Sequence, residues 1–89
     1  GTQAHAAWSR APQTLVNIPR ERYDGEATHA DIDAALHSYG LNHDDIRLVI
    51  RPSGTEPLVR VMVESTNAEF VSALDAALRQ RYGLAPAQN

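Results

Sequence analysis

The chain has 89 residues, 43% of them hydrophobic, and a formal net charge of −3. That suffices for one small core, argues against a general nucleic-acid binder, and includes no apolar run long enough to cross a membrane. With no cysteine, disulfides and thiolate metal sites are excluded, which fits a reducing, cytoplasmic setting. The chain starts Gly1-Thr2, with neither a methionine nor a charged and apolar leader, and this suggests a processed or excised piece.

Residues 1–11 read as a lead-in, with a short helix over Ala4–Ala11 that ends before Pro12 and uses Trp8 as a packing anchor. Residues 12–84 read as the folded domain. Thr14–Ile18 is rich in β-branched residues and closed by Pro19, so it reads as a strand. Thr14, Val16 and Ile18 share one face, Leu15 and Asn17 the other. Arg20–Ala27 is polar, holds the turn signal Tyr23-Asp24-Gly25, and is expected to be a loop with at most a short edge strand.

Thr28–Tyr39 is expected to be a helix with Thr28 as N-cap and Asp31 in the first turn. Ile32, Ala35, Leu36 and Tyr39 would form its buried stripe. Gly40 suits the left-handed position after a helix, and Leu41 the apolar contact that closes it. Asn42-His43-Asp44 reads as a turn. Asp45–Ile50 and Leu58–Glu64 then alternate as strands. Val59, Val61 and Val63 should lie under the helices, which turns Arg60 away from the core.

Asn67–Tyr82 is the second helix, with Thr66-Asn67-Ala68-Glu69 matching a capping box. Its stripe would be Phe70, Val71, Leu74, Ala77, Leu78 and Tyr82. Arg79 and Arg81 would complement the negative end of its dipole. Gly83-Leu84 repeats the Gly-Leu ending, and 85–89 read as a disordered tail.

The order strand, helix, strand, strand, helix predicts an α+β class. The architecture is a two-layer sandwich: a mainly antiparallel, three- to four-stranded sheet with both helices on one face. The open face would carry Leu15, Val49, Leu58 and Met62, either as a contact surface for further domains or as scattered surface apolars.

Between the two central strands lies Arg51-Pro52-Ser53-Gly54-Thr55-Glu56-Pro57. Arg51 offers a planar fork of donors suited to phosphate or carboxylate. Ser53 and Thr55 add hydroxyls. Gly54 lets the backbone take φ > 0 and bring its N–H groups close to a ligand. Pro52 and Pro57 stiffen the ends. These features describe an anion-binding loop; the alternative is a tight loop whose Arg51 pairs with its own Glu56. Other chemistry is weakly represented. His5, His29, His37 and His43 lack metal spacing. No nucleophile elbow or Walker loop is present.

The run Arg51–Glu64 resembles the phosphate-binding loop and following strand of the α-D-phosphohexomutases. The form with Gly54, Glu56 and Arg60 is most similar to phosphoglucosamine mutases. Pro12–Ile18 resembles, more loosely, the strand that opens the last of that family's four domains. The resemblance implies a fold likened to the TATA-binding protein. It implies that Arg51, Ser53, Gly54, Thr55 and Arg60 hold the substrate phosphate that is not being transferred. Pro52, Glu56 and Pro57 would orient the loop. It also implies that the phosphoserine, the acidic Mg²⁺ loop and the sugar-reading loop belong to other domains. The whole enzyme would convert glucosamine 6-phosphate to glucosamine 1-phosphate with Mg²⁺ and a bisphosphorylated sugar activator, and this domain alone would be inert. A phosphomannomutase or phosphoglucomutase parent, or a stand-alone anion-binding or interaction module, remains the alternative. The partners implied are a phosphosugar and the enzyme's other domains, with no nucleic acid and no membrane.

Overall fold

A computed structural model describes residues 11–85. The expected helix over Ala4–Ala11 and the tail beyond Ala85 lie outside the described residues. Five main elements follow in order: β1 (Gln13–Pro19), α1 (Gly25–Ser38), β2 (Ile46–Pro52), β3 (Leu58–Ser65) and α2 (Ala68–Tyr82), with a 3₁₀ turn at His43–Asp45. The sheet order is β1-β3-β2, with β3 antiparallel to both neighbours. The expected α+β sandwich with a three-stranded sheet is therefore the one observed.

Alternation decides which side of the sheet is covered. Val16, Ile18, Val59, Val61 and Val63 face the helices, and all are buried. Ile32 and Leu36 of α1, with Phe70, Val71, Leu74, Leu78 and Tyr82 of α2, close over them into one core. Burying such side chains stabilises by roughly 1.5–3 kcal/mol each. Ile46, Leu48 and Ile50 pack on the core's margin from the edge strand and are only half-buried. Ala77, expected in the buried stripe, is exposed. Tyr39 lies just past α1, 36% exposed, with its ring edge-on to Phe70 at 6.2 Å.

The helix starts differ from expectation. α1 begins three residues early because Asp24, not Thr28, is its N-cap: the Asp24 carboxylate accepts the Ala27 N–H at 3.1 Å. The Tyr23-Asp24-Gly25 turn signal is thus a cap followed by the first helical residue. Thr28 is fully buried, and its hydroxyl meets the Tyr82 hydroxyl at 2.7 Å. The cap of α2 is Asn67, not Thr66. Asn67 Oδ1 accepts the Phe70 N–H at 3.0 Å, while Ser65 Oγ accepts the Asn67 N–H at 3.0 Å. Asp45 belongs to the 3₁₀ turn rather than to a strand, and β2 runs on through Arg51 and Pro52.

Both helix ends match the expected Gly-Leu pattern. Gly40 and Gly83 are left-handed (φ 65° and 66°). Leu41 N–H reaches Leu36 O at 2.9 Å, and Leu84 N–H reaches Arg79 O at 2.7 Å, the closing bonds of Schellman endings. Arg79 and Arg81 make specific pairs instead of only answering the dipole. Arg79 holds Asp75 on its own helix and the Leu15 carbonyl of β1. Arg81 grips Asp31 of α1 through two nitrogens, which holds its already high pKa higher still.

Candidate anion site at the β2–β3 loop

Strand register brings the candidate residues together. On the open face, three rows cross the sheet: Asn17–Arg60–Arg51, Leu15–Met62–Val49 and Gln13–Glu64–Arg47. The row nearest the loop sets Arg51 and Arg60 directly opposite each other. Facing residues of this kind have Cβ atoms about 4.5–5.5 Å apart, and like charges so placed repel. The ion pairs among the described residues are His43–Asp33, Arg79–Asp75 and Arg81–Asp31. Arg47, Arg51 and Arg60 take part in none of them. The self-pairing of Arg51 with Glu56 is therefore not formed, and two exposed guanidinium groups are left at the mouth of the loop.

The loop is organised from inside by Ser53, which is 8% exposed. Its N–H donates to Leu58 O at 2.8 Å. Its Oγ accepts the N–H groups of Thr55 and Glu56 at 3.4 and 3.3 Å. Both contacts are long, and the Ser53 proton stays available for donation. Leu58 N–H bonds Glu56 O at 2.7 Å, and Arg20 N–H bonds Pro57 O at 2.8 Å. The second bond ties the end of β1 to the far side of the loop. Gly54, Thr55, Glu56 and Pro57 are exposed.

Gly54 does not have the positive φ the sequence suggested. A Cβ built there would meet nothing within 4 Å, so the fold of this chain does not itself demand glycine at that point. Close approach by a ligand is the remaining physical reason for one.

Below the arginine row lies a concavity of about 290 Å³, lined by Leu15, Arg47, Val49, Arg51, Arg60 and Met62. A larger one, about 440 Å³, lies at the opposite end of the sheet and is lined in part by Asp44, Asp45 and Glu64, with Arg47 common to both. Its carboxylates would repel an anion, so size does not decide the site. The described residues include no group of three His, Asp or Glu side chains that would hold a metal ion, and no helix among them is long and apolar enough to cross a membrane. The candidate site therefore consists of two exposed arginines on facing residues, with the Ser53 and Thr55 hydroxyls in the adjoining loop.

A family model described as the C-terminal domain of phosphoglucomutase/phosphomannomutase matches residues 15–81. The chain belongs to that family. The match runs from β1 into the last turn of α2 and takes in every candidate site residue. Among curated proteins, the phosphoglucosamine mutase of Bifidobacterium animalis subsp. lactis is 37% identical over 76 residues, covering 84% of this chain and 17% of that enzyme. That of Ralstonia pickettii is 45% identical over 62 residues, 68% of this chain and 14% of the enzyme. That of Aliivibrio fischeri is 42% identical over 71 residues, 72% and 15%. The chain thus spans only a small part of the length of the mutases it matches.

Within this family domain, several features escaped the sequence reading. The clamp from Arg20 to Pro57 and the position of Asn17 beside Arg60 depend on how β1 pairs with β3, and the inward role of Ser53 on how the loop closes back onto Leu58. The parity of Leu15 and Asn17 was readable, but the partner strand's register was not.

Proposed function

We propose that this domain grips the non-transferred phosphate of a phosphosugar within a phosphoglucosamine mutase, which interconverts glucosamine 6-phosphate and glucosamine 1-phosphate. The observation that carries this reading is the facing Arg51–Arg60 pair. Each side chain lacks a carboxylate partner among the described residues, and an anion between them turns repulsion into attraction. Arg51 and Arg60 supply the forks. Thr55 and Ser53 supply hydroxyl donors, and Gly54 allows the loop backbone to close on the oxygens. Pro52 and Pro57 hold the loop ends in place. Glu56 serves the loop through its backbone, accepting from Leu58 and donating to Ser53.

Such a grip positions substrate and makes no bond, so its contribution is orientation. The reaction brings the sugar to this loop by either end, so the loop reads phosphate and not the ring. Mg²⁺ and the bisphosphorylated sugar activator serve the whole enzyme elsewhere; the described residues of this domain offer the metal no ligand set. The partially apolar open face, with Leu15 at 46% exposure, is the surface on which the other domains rest. The enzyme acts in the cytoplasm, where its sugar phosphates are found.

Phosphate titration of the ¹⁵N-labelled domain tests the reading. Inorganic phosphate and sugar phosphates should bind weakly and alike, with Kd on the order of millimolar for so few contacts. The amides of Ser53, Gly54 and Thr55 should shift. Arg51→Ala should remove the shifts and Arg51→Lys restore them in part, since a point charge replaces a fork. Shifts centred elsewhere, or unchanged in Arg51→Ala, refute it. The domain alone should not convert glucosamine 6-phosphate when given Mg²⁺ and activator; measurable turnover would contradict a purely binding role.

A further inference from the structure

Asn17 is the third member of the arginine row and has no role in the reading above. It lies on β1, opposite Arg60, with Arg51 on the other side of β3. Its side chain is exposed on the open face. None of the side-chain hydrogen bonds among the described residues involves it. It is the only residue of that row with a hydrogen-bond acceptor in its side chain. Glu64, the other acceptor on this face of β3, stands two rows away and opposite Arg47.

We infer that Asn17 is a positioning residue for Arg60: when phosphate is held, its carboxamide oxygen accepts one guanidinium N–H and sets the direction in which the fork leans. This rests on the proposal that the loop holds phosphate. Two facing guanidinium groups leave no defined gap by themselves, since repulsion splays them and solvent averages their rotamers. An acceptor on the β1 side, on a residue whose Cβ lies about 5 Å from that of Arg60 by strand geometry, draws that fork away from Arg51. Arginine has five N–H donors, so one spent on Asn17 leaves the others for the anion. The acceptor is also neutral. A carboxylate there would attract Arg60 more strongly, but would cancel the charge the anion needs.

The neutrality argument makes the test directional. In phosphate titrations of the 89-residue chain, Asn17→Ala should raise Kd roughly threefold to tenfold, the effect of losing one hydrogen bond that organises a charged group. Asn17→Gln should recover part of the affinity. Asn17→Asp should weaken binding more than Asn17→Ala, because the new charge competes with the phosphate for Arg60. In phosphate-saturated Asn17→Ala, the Arg60 side-chain Nε–H resonance should move from its place in the saturated parent while the melting temperature stays within a degree or two, since the side chain is exposed. Arg51→Ala serves as the control. If it abolishes binding while all three Asn17 variants bind as the parent does, the inference about Asn17 is overturned and the phosphate reading stands. If Arg51→Ala itself binds normally, both fall. Asn17→Asp binding as tightly as the parent would also overturn the inference.

Discussion

Tyr82→Phe removes a single oxygen from the place where the end of α2 meets the start of α1. That oxygen is fully used: it donates to Asp24 O at 3.1 Å, accepts the Asp24 N–H at 3.2 Å, and lies 2.7 Å from the Thr28 hydroxyl. Tyr82 is 6% exposed and Thr28 fully buried, so little water can replace what is lost. The variant leaves the Thr28 O–H and the Asp24 N–H without their partner. An orphaned buried polar group costs about 1–3 kcal/mol. Thr28 can recover some of this by turning to the Asp24 carbonyl one helical turn back. A loss of about 1–2 kcal/mol is expected, or roughly 5–15 °C in Tm for a domain of this size. Thr28→Val should cost less, because Tyr82 keeps both of its bonds to Asp24. The double variant should cost less than the sum, since each change removes the reason for the other's penalty. Thermal and urea melts followed by circular dichroism measure all three. Additive losses, or a Tyr82→Phe loss no larger than that of Thr28→Val, would refute the reasoning.

Asn67→Ala should cost about 1 kcal/mol through loss of the cap on Phe70 N–H, whereas Thr66→Ala, at an exposed site, should stay within about 0.5 kcal/mol; urea melts that rank them in the opposite order would restore Thr66 as the cap. Gly54→Ala should melt like the parent, because a Cβ meets nothing within 4 Å there, yet bind phosphate more weakly by titration; undiminished binding would remove close approach as the reason for this glycine. The Tyr23 phenol is held above its ordinary pKa near 10, first by burial, then by the neighbouring Tyr82. A raised phenol pKa means the folded state keeps its proton longer, so that stabilisation is complete below pH 10 and is lost as pH rises through the folded value. Tyr23→Phe should flatten the alkaline limb of Tm against pH above 10, and an unchanged limb would show that Tyr23 does not cause it.

Strong periodicity made the fold legible. The valines of β3, the stripe Phe70–Leu74–Leu78 and the two Gly-Leu endings each carry a signal that one segment suffices to read. The helix starts were misread for a shared reason: polar cap residues come in clusters, and several members can serve. Asp24 and Thr28 both qualify as caps for α1; what separates them is the Tyr82 hydroxyl, far away in sequence, which claims Thr28 for the core. Ser65, Thr66 and Asn67 all qualify before α2, and the strand end decides among them by turning Ser65 inward. Arg79 and Arg81 read as local dipole partners because two of their partners, Leu15 O and Asp31, are distant in sequence, while the pair of Arg79 with Asp75 lies within the helix. At the site, residue types and loop length were legible. The facing of Arg51 and Arg60 followed once the strands paired, but the third member of their row needed β1's register.

The two faces of this sheet divide its physical work. The helix side is made of valine and isoleucine whose burial favours folding, and nothing ionisable on the strands interrupts it between Val16 and Val63. The other side sets two arginines against each other across the β2–β3 pair, and like charges that face directly oppose folding. A strand pair selected for stability alone would carry a β-branched residue or an opposite charge at one of those positions. On the proposed function, repulsion of this kind, kept at a solvent-exposed row beside a loop tied down by Ser53 and Arg20, is put to use when an anion arrives. On the proposed phosphate reading, an anion held between the guanidinium groups would relieve that repulsion, which would add to the difference between bound and free states. The same logic makes the loop end of the sheet the candidate, and not the larger concavity lined by Asp44, Asp45, Arg47 and Glu64: the second has room, but the facing arginines of the first offer a charge conflict that an anion would resolve.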